Sequence, residues 1–126
     1  MDMRTPLGKV RGLGSAKSGT EHFWKVRTTS IALVPLLLFY VGFLIMYAGK
    51  PYAEVVSALS NPFIATINAL TIIASIVHMK LGMEEIIQDY IHTEGTKFAL
   101  LILNSFFSLL AGGLCLFAAL KIAFAG

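Results

Sequence analysis

HMKLGMEEIIQDY, residues 78–90, marks the place where one helix passes from lipid into water. The stretch leaves a long apolar run, opens with His78 and carries Gly82 four positions later on the same helical face. It closes with Asp89 and Tyr90, about 18 Å further along at the helical rise per residue. Because an ionisable side chain is costly to bury at membrane depth, His78 is the first candidate for a functional residue.

The composition of the whole chain is that of a membrane protein. Its 126 residues are 56% hydrophobic and only 13% charged, about half the charge of an average soluble domain. The mean hydropathy of +0.77 means that the excess apolar surface needs lipid rather than a larger core. The formal net charge of +3 comes from basic residues near the N-terminus. Their position indicates membrane topology and not nucleic-acid binding.

Three apolar segments predict an all-α protein with three transmembrane helices. We expect residues 1–27 to form a basic N-terminal segment and residues 28–48 to form the first span, since about 20 apolar residues cross a bilayer. A turn at residues 49–51 and a short loop to residue 60 follow. Asn61 and Pro62 are typical of a helix start. The second span covers residues 62–83, its helix continues to about residue 91, and the third span covers residues 97–124.

Small residues on the third span predict close helix contact. Ser105, Ser108 and Gly112 recur at helical spacing, and small side chains let two helix backbones approach each other in lipid.

The distribution of Lys and Arg predicts the orientation of the spans. Eight of these residues lie in the N-terminal segment and around the end of the second helix, against two on the other side. The positive-inside rule therefore places the N-terminus and the exit at residues 78–90 in the cytoplasm, or the mitochondrial matrix, and the C-terminus outside. A bacterial inner membrane is the expected location, with the mitochondrial inner membrane as the second choice.

His78 has two interpretations. It lies about 7–8 Å below the predicted cytoplasmic end of its span, where it could simply pack between helices, hydrogen-bonded to a neighbouring Ser or a carbonyl group, or could ligate a metal or haem iron. No second His, Cys or carboxylate occurs at its depth, so a site with four protein ligands is not expected. Haem needs only one or two axial ligands, so a second chain could complete the site. His22 and His92 are expected at the surface.

Arg27 and Tyr90 also have a simple and a functional interpretation. Arg27 could anchor the first span at the interface, or could bind a haem propionate through its forked guanidinium group. Tyr90 could be an interfacial aromatic residue, or could hydrogen-bond a quinone carbonyl beside Asp89. Glu84 and Glu85 are expected to form a patch that faces water or a partner.

The pattern His-x3-Gly-x6-Asp-Tyr, at the cytoplasmic end of the second of three spans, resembles the small hydrophobic membrane-anchor subunit of succinate dehydrogenase (respiratory complex II) of the cytochrome b556 type. The resemblance extends over nearly the whole chain, from the basic N-terminal segment through Val26-Arg27-Thr28 to the short C-terminus.

The resemblance implies a role for each marked residue. His78 matches the axial ligand that this subunit gives to haem b, and Arg27 matches an arginine near the haem propionates. Tyr90 matches the tyrosine that binds the ubiquinone head group, and Asp89 is the acidic residue beside it. The implied partners are a large cytochrome b anchor subunit that supplies the second haem ligand, an iron–sulphur subunit and a flavoprotein subunit.

The predicted function is that of a non-catalytic anchor, which docks a succinate-oxidising module to the membrane and helps to bind haem b and ubiquinone. Three alternatives stay open. The chain could be a fumarate reductase anchor, a small membrane interaction protein without haem, or a homodimer in which two copies of His78 ligate one haem.

Overall fold

The fold is all-α in the part of the chain that the computed structural model describes, residues 5–12 and 16–125. These residues form helices only, with no strand. In chain order the helices are α1 (Pro6–Val10), α2 (Ala16–Tyr47), α3 (Tyr52–Leu59), α4 (Pro62–Tyr90) and α5 (Glu94–Ala125).

Three of these helices are long and apolar enough to cross a membrane. The candidate spans are Thr20–Tyr47 in α2, Pro62–Tyr90 in α4 and Glu94–Phe124 in α5. The predicted fold class, all-α with three membrane-spanning helices, is therefore confirmed. The 29 residues of α4 measure about 43 Å at the helical rise, which exceeds the hydrocarbon thickness of about 30 Å.

The helix boundaries around α4 follow from local chemistry. The Asn61 side chain accepts hydrogen bonds from the backbone N–H groups of Phe63 (2.9 Å) and Ile64 (3.4 Å), and Pro62 is the first helical residue. This confirms the predicted helix start. At the end of α2, Gly49 adopts φ +80°, a left-handed conformation that glycine tolerates without steric cost.

Two segments are more helical than expected. The helix α2 begins at Ala16, well before residue 28, where the first span was predicted to start. In this additional helical part, Lys25 pairs with Glu21 one turn earlier at 3.7 Å. The segment expected as a loop before residue 60 contains α3 instead. Its first turn carries Glu54, where a carboxylate interacts favourably with the positive end of the helix dipole.

The helix α4 lies between its two long neighbours and packs more extensively on α5 than on α2. Few apolar side chains are buried by this packing: among the described residues they are Leu33, Leu81 and Ile87. Large apolar side chains are exposed along all three long helices. Since exposed apolar surfaces of this extent require lipid or another protein, we expect lipid or partner subunits to cover the outer faces of the three helices.

The contact between α4 and α5 is made by small and polar residues of α5. A β-carbon at Gly112 would lie 3.1 Å from Ile76 Cγ2, Ser108 is 1% exposed, and Asn104 Nδ2 donates to the Lys80 carbonyl oxygen at 3.1 Å. The predicted stripe was wrong in one member, because Ser105 is exposed. At 100° per residue Ser105 is rotated by about 60° from Ser108, beyond the edge of the contact.

Candidate functional site

The imidazole ring of His78 lies between α4 and α2, half-buried. Its Nδ1 atom is 3.1 Å from the hydroxyl oxygen of Thr29 on α2. The same hydroxyl group donates to the carbonyl oxygens of Lys25 (2.9 Å) and Val26 (3.0 Å). Within the described residues, no hydrogen bond to the other ring nitrogen, Nε2, is present. Among the described residues, the ring thus has a hydrogen-bond partner at Nδ1 and none at Nε2.

A second polar contact joins the two helices closer to the predicted cytoplasmic side. His22 Nε2 on α2 lies 3.1 Å from Glu85 Oε1 on α4, seven residues or about 10 Å along α4 from His78. The neighbouring carboxylate, Glu84, pairs with Lys80 on its own helix. The two glutamates expected to form a patch facing water or a partner are therefore both engaged within this chain.

The helical period separates Asp89 from Tyr90. On α4, Gly82, Glu85 and Asp89 all fall within about 40° of the direction of His78, whereas Tyr90 is rotated by about 120°. Asp89 is exposed at the outer end of this His78 face. The structure thus presents the two adjacent candidates for a quinone site on different faces of one helix.

Tyr90 borders an apolar groove between α4 and α5 with a volume of about 480 Å³. Its side chain is 75% exposed. Besides Tyr90, the lining contains one polar residue, Asn104, and the remainder is apolar: Met83, Ile86, Ile87, Ile91, Leu100, Leu103 and Phe107. This groove has the dimensions of a ligand pocket, and the Tyr90 phenol stands at its end nearest the terminus of α4.

The Arg27 side chain packs against a residue of its own helix. Its guanidinium carbon is 5.6 Å from the centre of the Phe23 ring, one turn earlier. Together with His22 and Glu85 these two residues line an open groove of about 600 Å³. The structure therefore shows no direct contact among His78, Arg27, Asp89 and Tyr90, and it brings none of these four predicted site residues together.

A metal site made by this chain alone is not seen in the described part of the structure, which contains no group of three or more His, Cys, Asp or Glu side chains able to hold an ion. A metal bound at His78 must bring most of its ligands with it or share them with another chain. A haem iron, already held by four porphyrin nitrogens, satisfies this condition.

Sequence reasoning missed two features of the site. Thr29 was not singled out, although it belongs to the run Thr28-Thr29-Ser30 at the start of an apolar span, where a hydroxyl group could reach the depth of His78. The contact between His22 and Glu85 was missed because it depends on how α2 and α4 are rotated toward each other. No spacing within either helix contains that information.

Comparisons with known proteins identify the family of this chain. The family model described as succinate dehydrogenase/fumarate reductase transmembrane subunit matches residues 1–112. The succinate dehydrogenase hydrophobic membrane anchor subunit of Paracoccus denitrificans is 32% identical over 103 residues, which are 82% of this chain and 79% of the relative. The corresponding subunit of Rickettsia bellii is 31% identical over 109 residues, 86% of this chain and 87% of the relative. The succinate dehydrogenase membrane anchor subunit of Reclinomonas americana is 32% identical over 84 residues, 64% of this chain and 70% of the relative.

Proposed function

The chain belongs to the succinate dehydrogenase/fumarate reductase transmembrane subunit family, and we propose that it is the small membrane anchor of a succinate dehydrogenase that helps to bind haem b and ubiquinone. As a multi-pass membrane protein it fixes the soluble, succinate-oxidising subunits to the bilayer. Its Paracoccus and Rickettsia relatives support a location in a bacterial inner membrane.

The observation that carries the haem assignment is the environment of His78. Its ring is anchored through Nδ1 to Thr29, while Nε2 faces no hydrogen-bonding group of the described residues and can serve as a ligand through its lone pair. A β-carbon placed at Gly82, one turn away on the same face, would meet no atom of the described residues within 4 Å beyond its two chain neighbours and the adjacent backbone of its own helix. A flat macrocycle can therefore approach the helix closely beside the histidine.

When bound, haem b supplies a one-electron redox centre. His78 would hold the iron from this chain, and the large cytochrome b anchor subunit would supply a second protein ligand. Arg27 is the candidate partner of a haem propionate, because a guanidinium group binds a carboxylate through two parallel hydrogen bonds. Its present neighbour is the Phe23 ring, which leaves its N–H donors available for this role.

The outer end of α4 is the proposed contribution to the ubiquinone site. The exposed Tyr90 hydroxyl can donate a hydrogen bond to a quinone carbonyl, and Asp89 is the nearby group that can deliver a proton. Both residues lie at the exposed C-terminal end of α4. There a soluble iron–sulphur subunit would cover the quinone site on its cytoplasmic side, and the flavoprotein subunit would bind to the iron–sulphur subunit.

The relatives described above favour succinate oxidation over fumarate reduction, because each is named as a succinate dehydrogenase subunit. The family model covers both reactions. A homodimer with two copies of His78 on one haem, or an interaction protein without haem, would give a different subunit composition or a different spectrum. The following experiment separates these possibilities.

The test is to purify the membrane complex through a tag on this chain and to record its reduced-minus-oxidised spectrum and its subunits by mass spectrometry. We expect a b-type haem and a second hydrophobic chain in equal amount. His78→Ala should abolish the low-spin spectrum, since it removes a ligand without adding a group that is costly to insert. His92→Ala, at an exposed histidine, is the matched control and should keep it. An unchanged spectrum in His78→Ala would refute the haem assignment.

A further inference from the structure

We infer that Thr29 is a positioning residue for His78: it holds the imidazole in the tautomer that carries its hydrogen on Nδ1, and so presents the Nε2 lone pair to the iron. This inference rests on the proposed function, because it concerns the same haem. It assigns a new role to a residue of α2 that lies on a different helix from the ligand.

The first step is to account for the hydrogen atom of the Thr29 hydroxyl group. That group has one hydrogen and can also accept hydrogen bonds. Its oxygen lies within hydrogen-bond distance of two carbonyl oxygens, those of Lys25 and Val26, and carbonyl oxygens can only accept. If the hydroxyl hydrogen is directed to these carbonyls, then only lone pairs remain to face His78 Nδ1 at 3.1 Å. The ring nitrogen must then be the donor.

The second step concerns the other nitrogen. In a neutral imidazole one ring nitrogen carries the hydrogen and the other carries a lone pair. With the hydrogen on Nδ1, the lone pair is on Nε2, as ligation of a metal requires. The opposite tautomer would leave the Thr29 hydroxyl as donor to Nδ1, withdraw its hydrogen from both carbonyl oxygens and place a hydrogen where the iron must bind. Only the first arrangement satisfies all three contacts of Thr29.

The third step is the stability of this contact. Thr29 is bonded to its own helix backbone, and its β-branched side chain has few rotamers. The helix α2 is itself tied to α4 at two other levels: His22 contacts Glu85, and the Tyr40 hydroxyl donates to Asn68 Oδ1 at 2.8 Å. Thr29 lies between these two contacts along α2. The hydroxyl oxygen is therefore held at a constant position relative to the ring.

The hydrogen bond should also affect the electronic properties of the ligand. An acceptor at Nδ1–H increases the basicity of the imidazole and fixes the orientation of the ring. A more basic ligand stabilises ferric over ferrous iron, so Thr29 should lower the midpoint potential of the haem. Loss of an outer partner of this kind typically weakens metal binding about 10–100-fold.

The test compares Thr29→Val, which keeps the shape but removes the hydroxyl group, with Thr29→Ser, which keeps the hydroxyl group. In the purified complex we expect Thr29→Val to lose haem about 10-fold more readily than the wild type on dilution, in line with the typical effect of outer partners. The remaining haem should show a raised midpoint potential and altered low-spin EPR g-values. Thr29→Ser should restore all three properties. Should Thr29→Val fail to assemble, Thr29→Ala against Thr29→Ser isolates the same oxygen atom.

The matched control is Thr66→Val, because the Thr66 hydroxyl also donates to a carbonyl oxygen of its own helix, that of Pro62 at 2.7 Å, but lies twelve residues from His78. It should match the wild type. The inference is overturned if Thr29→Val keeps the wild-type potential and g-values, or if Thr29→Ser shifts them as much as Thr29→Val. In either case a low-spin haem in the wild type, lost in His78→Ala, would leave the proposed function intact.

Discussion

Replacing Gly112 with alanine tests how closely α5 must approach α4 beside the histidine. The added β-carbon would lie 3.1 Å from Ile76 Cγ2 and 3.3 Å from its Cγ1, whereas carbon atoms in contact prefer about 3.5–4.0 Å. The isoleucine cannot swing aside easily, since both atoms are attached directly to its branched β-carbon. The helices must therefore separate by a few tenths of an ångström. Overpacking of this kind costs about 1–3 kcal/mol.

This cost should appear in the proposed haem site as well as in stability, because Ile76 lies two residues before His78 on α4. We expect Gly112→Ala to lower the thermal midpoint of the purified complex, followed through the haem absorbance, and to reduce the ratio of haem to protein. Alanine also gains about 1 kcal/mol of helix propensity over glycine, so the net cost is up to about 2 kcal/mol. At about 1.4 kcal/mol per tenfold change, the folded-to-unfolded ratio should fall by up to about 30-fold.

The neighbouring glycine provides the control for this experiment. A β-carbon at Gly113 would meet no atom of the described residues within 4 Å beyond its chain neighbours and the adjacent backbone of its own helix, and alanine is a better helix former than glycine. Gly113→Ala should therefore equal or exceed the wild type in thermal midpoint. If Gly112→Ala behaves like Gly113→Ala, the close approach of α4 and α5 is not a constraint, and the packing argument is wrong.

Two further predictions concern the quinone site and the orientation of the chain. Tyr90→Phe keeps the ring but removes the proposed hydrogen bond to quinone, worth about 0.5–1.5 kcal/mol, so quinone reduction at subsaturating quinone should fall about 2- to 12-fold. Succinate oxidation with an artificial acceptor and the haem content should stay normal. If the variant reduces quinone at the wild-type rate, Tyr90 is only an interfacial residue. A phosphatase fused to Gly126 should be active, because the basic residues predict a C-terminus outside the cytoplasm. An inactive phosphatase fusion, together with a fluorescent reporter that lights up only in the cytoplasm at the same position, would show that the predicted topology is wrong.

The features that could be predicted from the sequence depend on neighbours along the chain. The start of α4 follows from Asn61 and Pro62, because the asparagine side chain satisfies N–H groups two and three residues away. The turn after α2 follows from Gly49, and the extension of α4 past the membrane follows from its uninterrupted helical pattern. In each case the deciding interaction lies within a few residues.

The features that could not be predicted depend on the rotation of one helix against another. Ser105 and Asn104 are adjacent in sequence, yet only Asn104 faces α4. The spacing of small residues along α5 does not predict the rotation of the helix accurately enough to decide which of two residues about 60° apart lies in the contact. The Thr29 contact with His78 crosses 49 residues of chain. The helix α3 was missed for a different reason, since eight residues beside a proline are too few to give a strong periodic signal.

Three side-chain hydrogen bonds join α2 to α4 among the described residues, and they determine the azimuth of α2, that is, its rotation about its own axis. His22, Thr29 and Tyr40 point in the same direction to within about 40°, at 100° per residue, and each meets a polar partner on α4. The face that α2 offers to a neighbouring subunit, including Arg27, is consequently set by three polar contacts at three levels along the helix.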